Sequence, residues 1–288
     1  MKYFVCSDIH SFYTPLKTEL LKTGFDQNNP EHILIVCGDV FDRGLETVEV
    51  YNFLKSIPKD RCILIKGNHE ALFLQLLEKD YPQGHDFSNG TVLTFCQIAG
   101  YGPDTVYELR AGYHMSYGTY FDNEFIEPNC EKLWKEIRDK VKESEVTKWL
   151  KSDQWVNYYE LDNYIFVHSF IPLSYVPDNS KESYYKEYDI YHGITDAFES
   201  KSDWRNSTDD EWEDASWGCP YIFFDAGFFN EEVKNNKILV CGHFKCSAFN
   251  EHYLNLVGCH DTYKGDNLIA LDATTALTNK VNVLVINK

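Results

Sequence analysis

Short apolar runs alternate with helix-patterned stretches through the first 80 residues of this 288-residue chain. Phe4-Val5-Cys6, His32 to Cys37 and Cys62 to Lys66 are mostly apolar at every position, not only at alternate ones. That is the pattern of strands buried on both faces, as in a parallel sheet. Between them, Leu16, Leu20 and Leu21 recur at helical spacing, with Thr14-Pro15 as N-cap and first helical residue and Gly24 as the stop. Residues 45–57 predict a second helix halted by Pro58. A third starts near His69 and continues through Leu72, Phe73, Leu76 and Leu77. Strand-helix alternation of this kind predicts an α/β fold.

Each of these strands ends in a polar turn. The first runs into Ser7-Asp8-Ile9-His10, the second into Gly38-Asp39-Val40-Phe41-Asp42-Arg43-Gly44, and the third into Gly67-Asn68-His69-Glu70. Asp8 and Asp39 are 31 residues apart, and Asp39 and Asn68 are 29 apart. Each interval is about one β-α-β repeat. Ligands of open α/β sheets bind beyond the carboxyl ends of the strands. Three parallel strands would therefore deliver Asp8, His10, Asp39 and Asn68 to one edge of one sheet.

The rest of the chain is less regular. Residues 81–125 are broken by glycines and read as loops and short helices against the site face, with a short helix at 92–98. A longer helix is expected at 131–151, with Trp134, Ile137, Val141, Val146 and Leu150 in its apolar stripe. Residues 155–161 and 164–168 form an expected hairpin around Asp162-Asn163. Three more strands are expected at 237–241, 268–272 and 281–286. The strand at 164–168 ends in His168, and the one at 237–241 leads into Gly242-His243.

Composition changes this picture in three ways. The net charge is −18, and no basic patch offers a nucleic-acid surface. An anionic substrate then needs a strong local positive charge, which a pair of divalent cations would supply. Residues 178–214 hold twelve acidic and four basic residues, 4 − 12 = −8, with many tyrosines and tryptophans. Disordered tails are poor in aromatics, so this reads as an ordered acidic insertion near the site, at about 174–235. No apolar run approaches the ~18 residues of a membrane span, and the chain starts directly in a strand, so a cytoplasmic protein without membrane contact is expected. The nine cysteines form no CxxC pair and read as buried small hydrophobes.

Asp8, His10, Asp39, Asn68, His168 and His243 are carboxylate, amide and imidazole donors, all at strand ends. Such a set suits manganese, iron or zinc better than calcium. Taken singly, Asp39 and Asp42 could be helix N-caps, Asn68 a turn residue, and the two histidines core residues. Six donors, each after an apolar strand, make the metal reading the stronger one. Asp39 is placed to bridge two ions. His85, His114, His192, His252 and His260 carry no such context.

These motifs resemble the phosphoprotein-phosphatase branch of the calcineurin-like metallophosphoesterases. That branch includes serine/threonine protein phosphatases and symmetrical dinucleoside tetraphosphatases. The match runs from residue 8 to 243 and on into the closing strands. It implies one metallophosphoesterase domain over 1–288, a four-layer α/β/β/α sandwich with two central mixed sheets, and two divalent ions, manganese first, with iron or zinc as alternatives. Asp8, His10 and Asp39 would hold one ion, and Asp39, Asn68, His168 and His243 the other. His69 would protonate the leaving oxygen, with Asp42 orienting it. Arg43, with Asn68 and Arg205, would bind the phosphate. The nucleophile would be a metal-bridging hydroxide. The chain departs from the family pattern at Ser7 and Ser11, where glycine is usual, at Phe41 for valine, and at Ser169-Phe170 for Ala-Gly. The expected substrate is a phosphorylated serine or threonine of a protein, or another small phosphoester. Alternatives are diadenosine tetraphosphate and a non-catalytic metal-binding module.

Overall fold

The computed structural model describes residues 1–115, 124–176 and 186–288. Parts of two expected segments, at 116–123 and 177–185, lie outside the described residues. Strands β1 (Lys2–Cys6), β2 (His32–Cys37) and β3 (Cys62–Ile65) are adjacent and parallel. Helices α1 (Tyr13–Thr23) and α2 (Thr47–Ser56) join them, and α3 (Asn68–Leu76) follows. The period of two along a strand divides their side chains between two cores. Phe4, Cys6, Leu34, Val36 and Leu64 face the helices, packing with Leu16, Leu20, Val50 and Phe53. Tyr3, Val5, Ile33, Ile35 and Ile65 face a second sheet, meeting Phe166, Val240 and Ile269. Burial on both faces is why these strands lack alternation in sequence.

The α1 start differs from expectation. The helix begins at Tyr13, and Phe12 caps it without a side-chain bond. Thr14 lies inside the first turn, where its amide N–H donates to Glu46 Oε2 at 2.9 Å. A carboxylate from the neighbouring turn does the capping.

The 81–125 stretch is mostly helical where it is described: α4 (Gly84–Asn89), α5 (Thr91–Ile98) and α6 (Asp104–Ala111), then a hairpin of β4 (Tyr113–Met115) and β5 (Glu124–Ile126). The single helix expected at 131–151 is two, α7 (Pro128–Lys142) and α8 (Glu145–Leu150). Ser144 separates them, its hydroxyl accepting from Thr147 N at 3.2 Å as an N-cap. The strand expected at 155–161 also divides. β6 (Trp155–Val156) joins the first sheet beside β3, while β7 (Tyr159–Leu161) pairs with β8 (Tyr164–Phe166) in the second.

The insertion contributes β9 (Leu173–Tyr175), α9 (Lys186–His192), β10 (Phe198–Ser200), α10 (Asp209–Ala215), α11 (Pro220–Asp225) and α12 (Asn230–Lys234). The closing elements are β11 (Ile238–Cys241), α13 (Cys246–Leu254), β12 (Tyr263–Lys264), β13 (Leu268–Ala270), α14 (Thr275–Thr278) and β14 (Leu284–Asn287). The sheets run β14-β1-β2-β3-β6 and β12-β13-β11-β8-β7, each mixed and five-stranded. β14 returns to the first sheet antiparallel to β1. Helices cover the outer face of the first sheet. Trp204, Trp212, Phe223 and Phe249 cover the outer face of the second, over Ile165, Val167 and Leu239. The result is the four-layer α/β/β/α sandwich. All nine cysteines are unpaired, and eight are buried. Among the described residues, no helix is long and apolar enough to cross a membrane.

Candidate metal centre

The carboxyl ends of β1, β2 and β3 meet those of β8 and β11 at one edge of the sandwich. The turns there have unusual backbones. Asp8, His10, Ser11, Asp39, Asp42, Arg43 and His243 all have positive φ, between 50° and 77°. They are seven of the twelve non-glycine residues with positive φ among those described. Each such residue costs on the order of 1–3 kcal/mol, so the surroundings must over-determine them. Glu70 is one device that does so. Its buried carboxylate accepts from Gly67 N at 2.7 Å, Val40 N at 2.9 Å and Asp39 N at 3.0 Å, pinning two turns to each other. Gly38 is another: at φ 80°, a Cβ there would run into the His168 imidazole and the Gly67 backbone.

Asp39 lies at the centre. Its Oδ1 is 3.3 Å from His168 Nε2, and its Oδ2 is 3.7 Å from His10 Nε2 and 3.9 Å from His69 Nε2. Asp8 Oδ1 is 4.0 Å from His10 Nε2. Its other oxygen accepts from His243 N at 2.9 Å and from the Ser7 hydroxyl. Asn68 Oδ1 lies 2.9 Å from His168 Nε2 and 3.2 Å from His243 Nδ1. The six sequence-predicted donors are thus brought together, and two groups of three converge closely: His10, Asp39 and His69, and Asp39, His168 and His243.

Tautomers follow from the carbonyls these rings touch, since a carbonyl can only accept. His168 Nδ1–H donates to Cys37 O at 2.8 Å, and His10 Nδ1–H to Phe41 O at 3.0 Å. Each Nε2 therefore presents a lone pair to the centre. On the His168 side, that lone pair faces oxygens of Asp39 and Asn68, and among the described residues no positive side chain separates them. Converging lone pairs of this kind are what a cation satisfies. On the His10 side, Arg43 supplies the positive charge, donating to His10 Nε2 at 2.8 Å and to His69 Nε2 at 3.1 Å.

Electrostatics sorts the imidazoles in the same way. Burial holds His10, His168 and His243 below the ordinary histidine range, His243 at about 3. They are neutral, the state that ligates metal. Burial would lower His69 too, but the carboxylates of Asp39 and hydrogen-bonded Asp42 outweigh it and raise this one ring. Burial opposes ionisation of Asp39, yet attraction to imidazolium charge around it holds its carboxyl well below the usual range, and His69 is the ring raised toward that charged form. Asp8 is raised, first by burial and then by Asp272 and Asp39.

Asp42 is fully buried and accepts His69 Nδ1–H at 2.6 Å. Thr91 and Thr94, one turn apart on α5, donate their hydroxyls to its two oxygens at 2.8 and 2.7 Å. These two threonines and Glu70 were not singled out in the sequence. Glu70 stands inside a recognised motif, but nothing local shows what its carboxylate accepts. Thr91 and Thr94 lie 49 and 52 residues from Asp42, and two threonines at helical spacing are no signal on their own.

Arg205, expected at the phosphate, has its partners in the insertion and β7. Its guanidinium bonds Glu232 at 2.7 and 3.2 Å and Glu160 at 2.5 Å, and lies over the Trp204 ring. Its three nitrogens are engaged by carboxylates of β7 and α12, so in this structure it braces the insertion.

Residues 1–270 match the calcineurin-like phosphoesterase family. The chain belongs to that family. Its members are phosphoesterases that use divalent metal ions, and the donor set above fits such ions. Among curated relatives, a symmetrical bis(5'-nucleosyl)-tetraphosphatase of Buchnera aphidicola is 38% identical over 68 residues. That match spans 24% of this chain and 23% of the relative's length. Among solved structures, the cold-active protein-tyrosine phosphatase of a psychrophilic Shewanella species aligns with all of this chain and 75% of its own, at TM-score 0.51 and 17% identity. A point mutant of a cold-active protein tyrosine phosphatase gives 0.52 and 16%, with the same coverage. At these identities the likeness is one of fold.

Proposed function

We propose that this member of the calcineurin-like phosphoesterase family is a metal-dependent phosphatase that hydrolyses phosphate monoesters, with phosphorylated serine or threonine side chains as substrate. The observation that carries the reading is the convergence of Asp39, His69 and Arg43 on one point, with a buried Asp42 behind His69. Asp8, His10 and Asp39 would hold one divalent ion, and Asp39, Asn68, His168 and His243 a second. Bound there, the ions would supply Lewis-acid charge to the phosphoryl oxygens and lower the pKa of the attacking water.

The chain's own residues do the remaining work. His10 Nε2 has a single lone pair, so a cation at that nitrogen and the bond from Arg43 exclude each other. A cation there would free one arm of the Arg43 fork, and a proton on His69 Nε2, which now accepts from Arg43 at 3.1 Å, would free the other, so that both arms could turn to two phosphoryl oxygens. His69 Nδ1–H stays on Asp42, and its Nε2 carries the proton handed to the leaving oxygen. Retention of this dyad beside the full donor set argues against a non-catalytic module.

The protein-substrate reading draws on charge. An acidic lobe next to the site repels a polyphosphate and accepts a basic phosphopeptide. A second reading, symmetrical dinucleoside tetraphosphatase, is favoured by the 38% identity to such an enzyme over 68 residues. A paired product assay separates the two. Manganese-loaded protein receives a phosphothreonine peptide or diadenosine tetraphosphate, with Asp39→Asn as the blank. Phosphate released from the peptide is expected. ADP as the main product would replace the first reading with the second.

A further inference from the structure

Two cavities lie along α10, where the insertion meets α3. One, of about 420 Å³, reaches Gly67 and His168 at its inner end and has Trp155, Phe170 and Trp212 in its walls. The other, of about 460 Å³, includes Trp217, whose ring centroid is 6.2 Å from that of His243. Gln75 and Glu213 line both. Gln75 Nε2 donates to Glu213 Oε1 at 2.8 Å, and this bridge marks the junction of the two.

The charges along this groove are unequal in their partners. Asp209 is neutralised by Lys66 at 3.2 Å, and Asp214 by Lys186. Glu213 is held by an amide, with no cation in ion-pair contact among the described residues. The walls are aromatic, with Trp155, Phe170 and Trp212 on one side of the bridge and Trp217 on the other. The groove thus offers an unneutralised carboxylate beside aromatic walls, and it adjoins metal-site residues at both ends. A peptide with a lysine or arginine supplies the matching cation and an apolar stem to lie on those rings.

We propose that this groove binds the basic flank of a phosphorylated peptide, with Glu213 as the carboxylate that selects a lysine or arginine beside the phosphorylated residue. The inference rests on the phosphoprotein reading, but its test does not need turnover. A fluorescein-labelled unphosphorylated peptide rich in lysine and arginine, and a matched serine-substituted peptide, are titrated by anisotropy against the full chain in EDTA. The basic peptide is expected to bind at least about tenfold tighter. Glu213→Gln keeps an oxygen for Gln75 and should weaken the basic peptide about fivefold, with Glu213→Lys weakening it further. Glu136→Gln, on α7 in the opposite helical layer, controls for the protein's overall charge and should change nothing. Equal binding of the two peptides, indifference to both Glu213 substitutions, or equal loss in Glu136→Gln would each overturn the proposal. Hydrolysis of p-nitrophenyl phosphate with manganese reads the metal site separately. Absence of that turnover with selective binding intact would overturn the phosphatase reading and support the groove.

Discussion

The turns that carry the candidate donors and the acidic insertion are held together by opposite strategies. The turns after β1 and β2 carry six of the seven positive-φ residues of the site, the seventh being His243. They are fixed by a few buried contacts with no substitute: the three amides on Glu70, and the close approach of Gly38 to His168. The insertion has many exchangeable ones. Trp212 stacks on Tyr158 at 5.2 Å and meets Trp204 edge-on at 5.8 Å, and ion pairs such as Arg205–Glu232 and Lys201–Glu211 ring this cluster. Geometry is concentrated in the first region, and burial is distributed in the second. Single changes should therefore be severe in the turns and mild in the lobe.

The largest expected effect is on turnover. His69→Asn should lower kcat on p-nitrophenyl phosphate by roughly 10²–10⁴-fold, the range of a lost general acid. It should leave metal content near that of wild type, whereas Asp39→Asn should lose both. Equal kcat in wild type and His69→Asn would remove the acid role. Next comes Gly38→Ala, which puts a Cβ at φ 80° against the His168 ring. Strain and clash together should cost about 3 kcal/mol in denaturant unfolding. A cost under about 1 kcal/mol would show that the turns are not over-determined, and the contrast between the two regions would lose its basis.

A subtler test addresses Asp42. Thr91→Val and Thr94→Val each remove a hydroxyl donor to its buried carboxylate. Asp42 helps raise His69, so loosening it lowers the His69 pKa. The form with a proton on Nε2 is then lost at lower pH. The alkaline limb of the kcat/KM profile should move to lower pH by about half a unit to one unit. Serine at either position should restore it, which a purely structural role would not require.

How much of this was legible in the sequence follows the same division. The strands into the turns could be read because burial on both faces leaves unbroken apolar runs, and the donors Asp8, His10, Asp39 and Asn68 lie within a few residues of them. Their supports were not legible. What Thr91 and Thr94 do depends on the α5 packing that brings them to Asp42, about 50 residues away in the chain. The residue-155 strand was misread because Trp155-Val156 and Tyr159-Glu160-Leu161 look continuous while the chain passes between sheets at Asn157-Tyr158. The ion pairs of Arg205 were hidden for a related reason. Its carboxylate partners, Glu160 and Glu232, are 45 and 27 residues away and carry no local sign of the pairing.

The smallest expected effect tests that brace. Arg205→Met keeps much of the stem over Trp204 and deletes the guanidinium between Glu160 and Glu232. The pairs are partly solvent-screened, so the loss should be about 1 kcal/mol or less at neutral pH. Burial opposes ionisation of both glutamates, yet their bonds to Arg205 hold each carboxyl below its ordinary value. A lowered folded-state pKa contributes stability that is complete above the unfolded value, about 4.3 for glutamate, and is lost as pH falls through the folded one. The stability gap between wild type and Arg205→Met should be flat from about pH 6 to 8 and should close below about pH 4. Activity on p-nitrophenyl phosphate should not change, because the guanidinium is committed to the lobe. A large fall in turnover with unchanged stability would return Arg205 to the phosphate site, and a stability loss exceeding that of Gly38→Ala would reverse the ranking of the two regions.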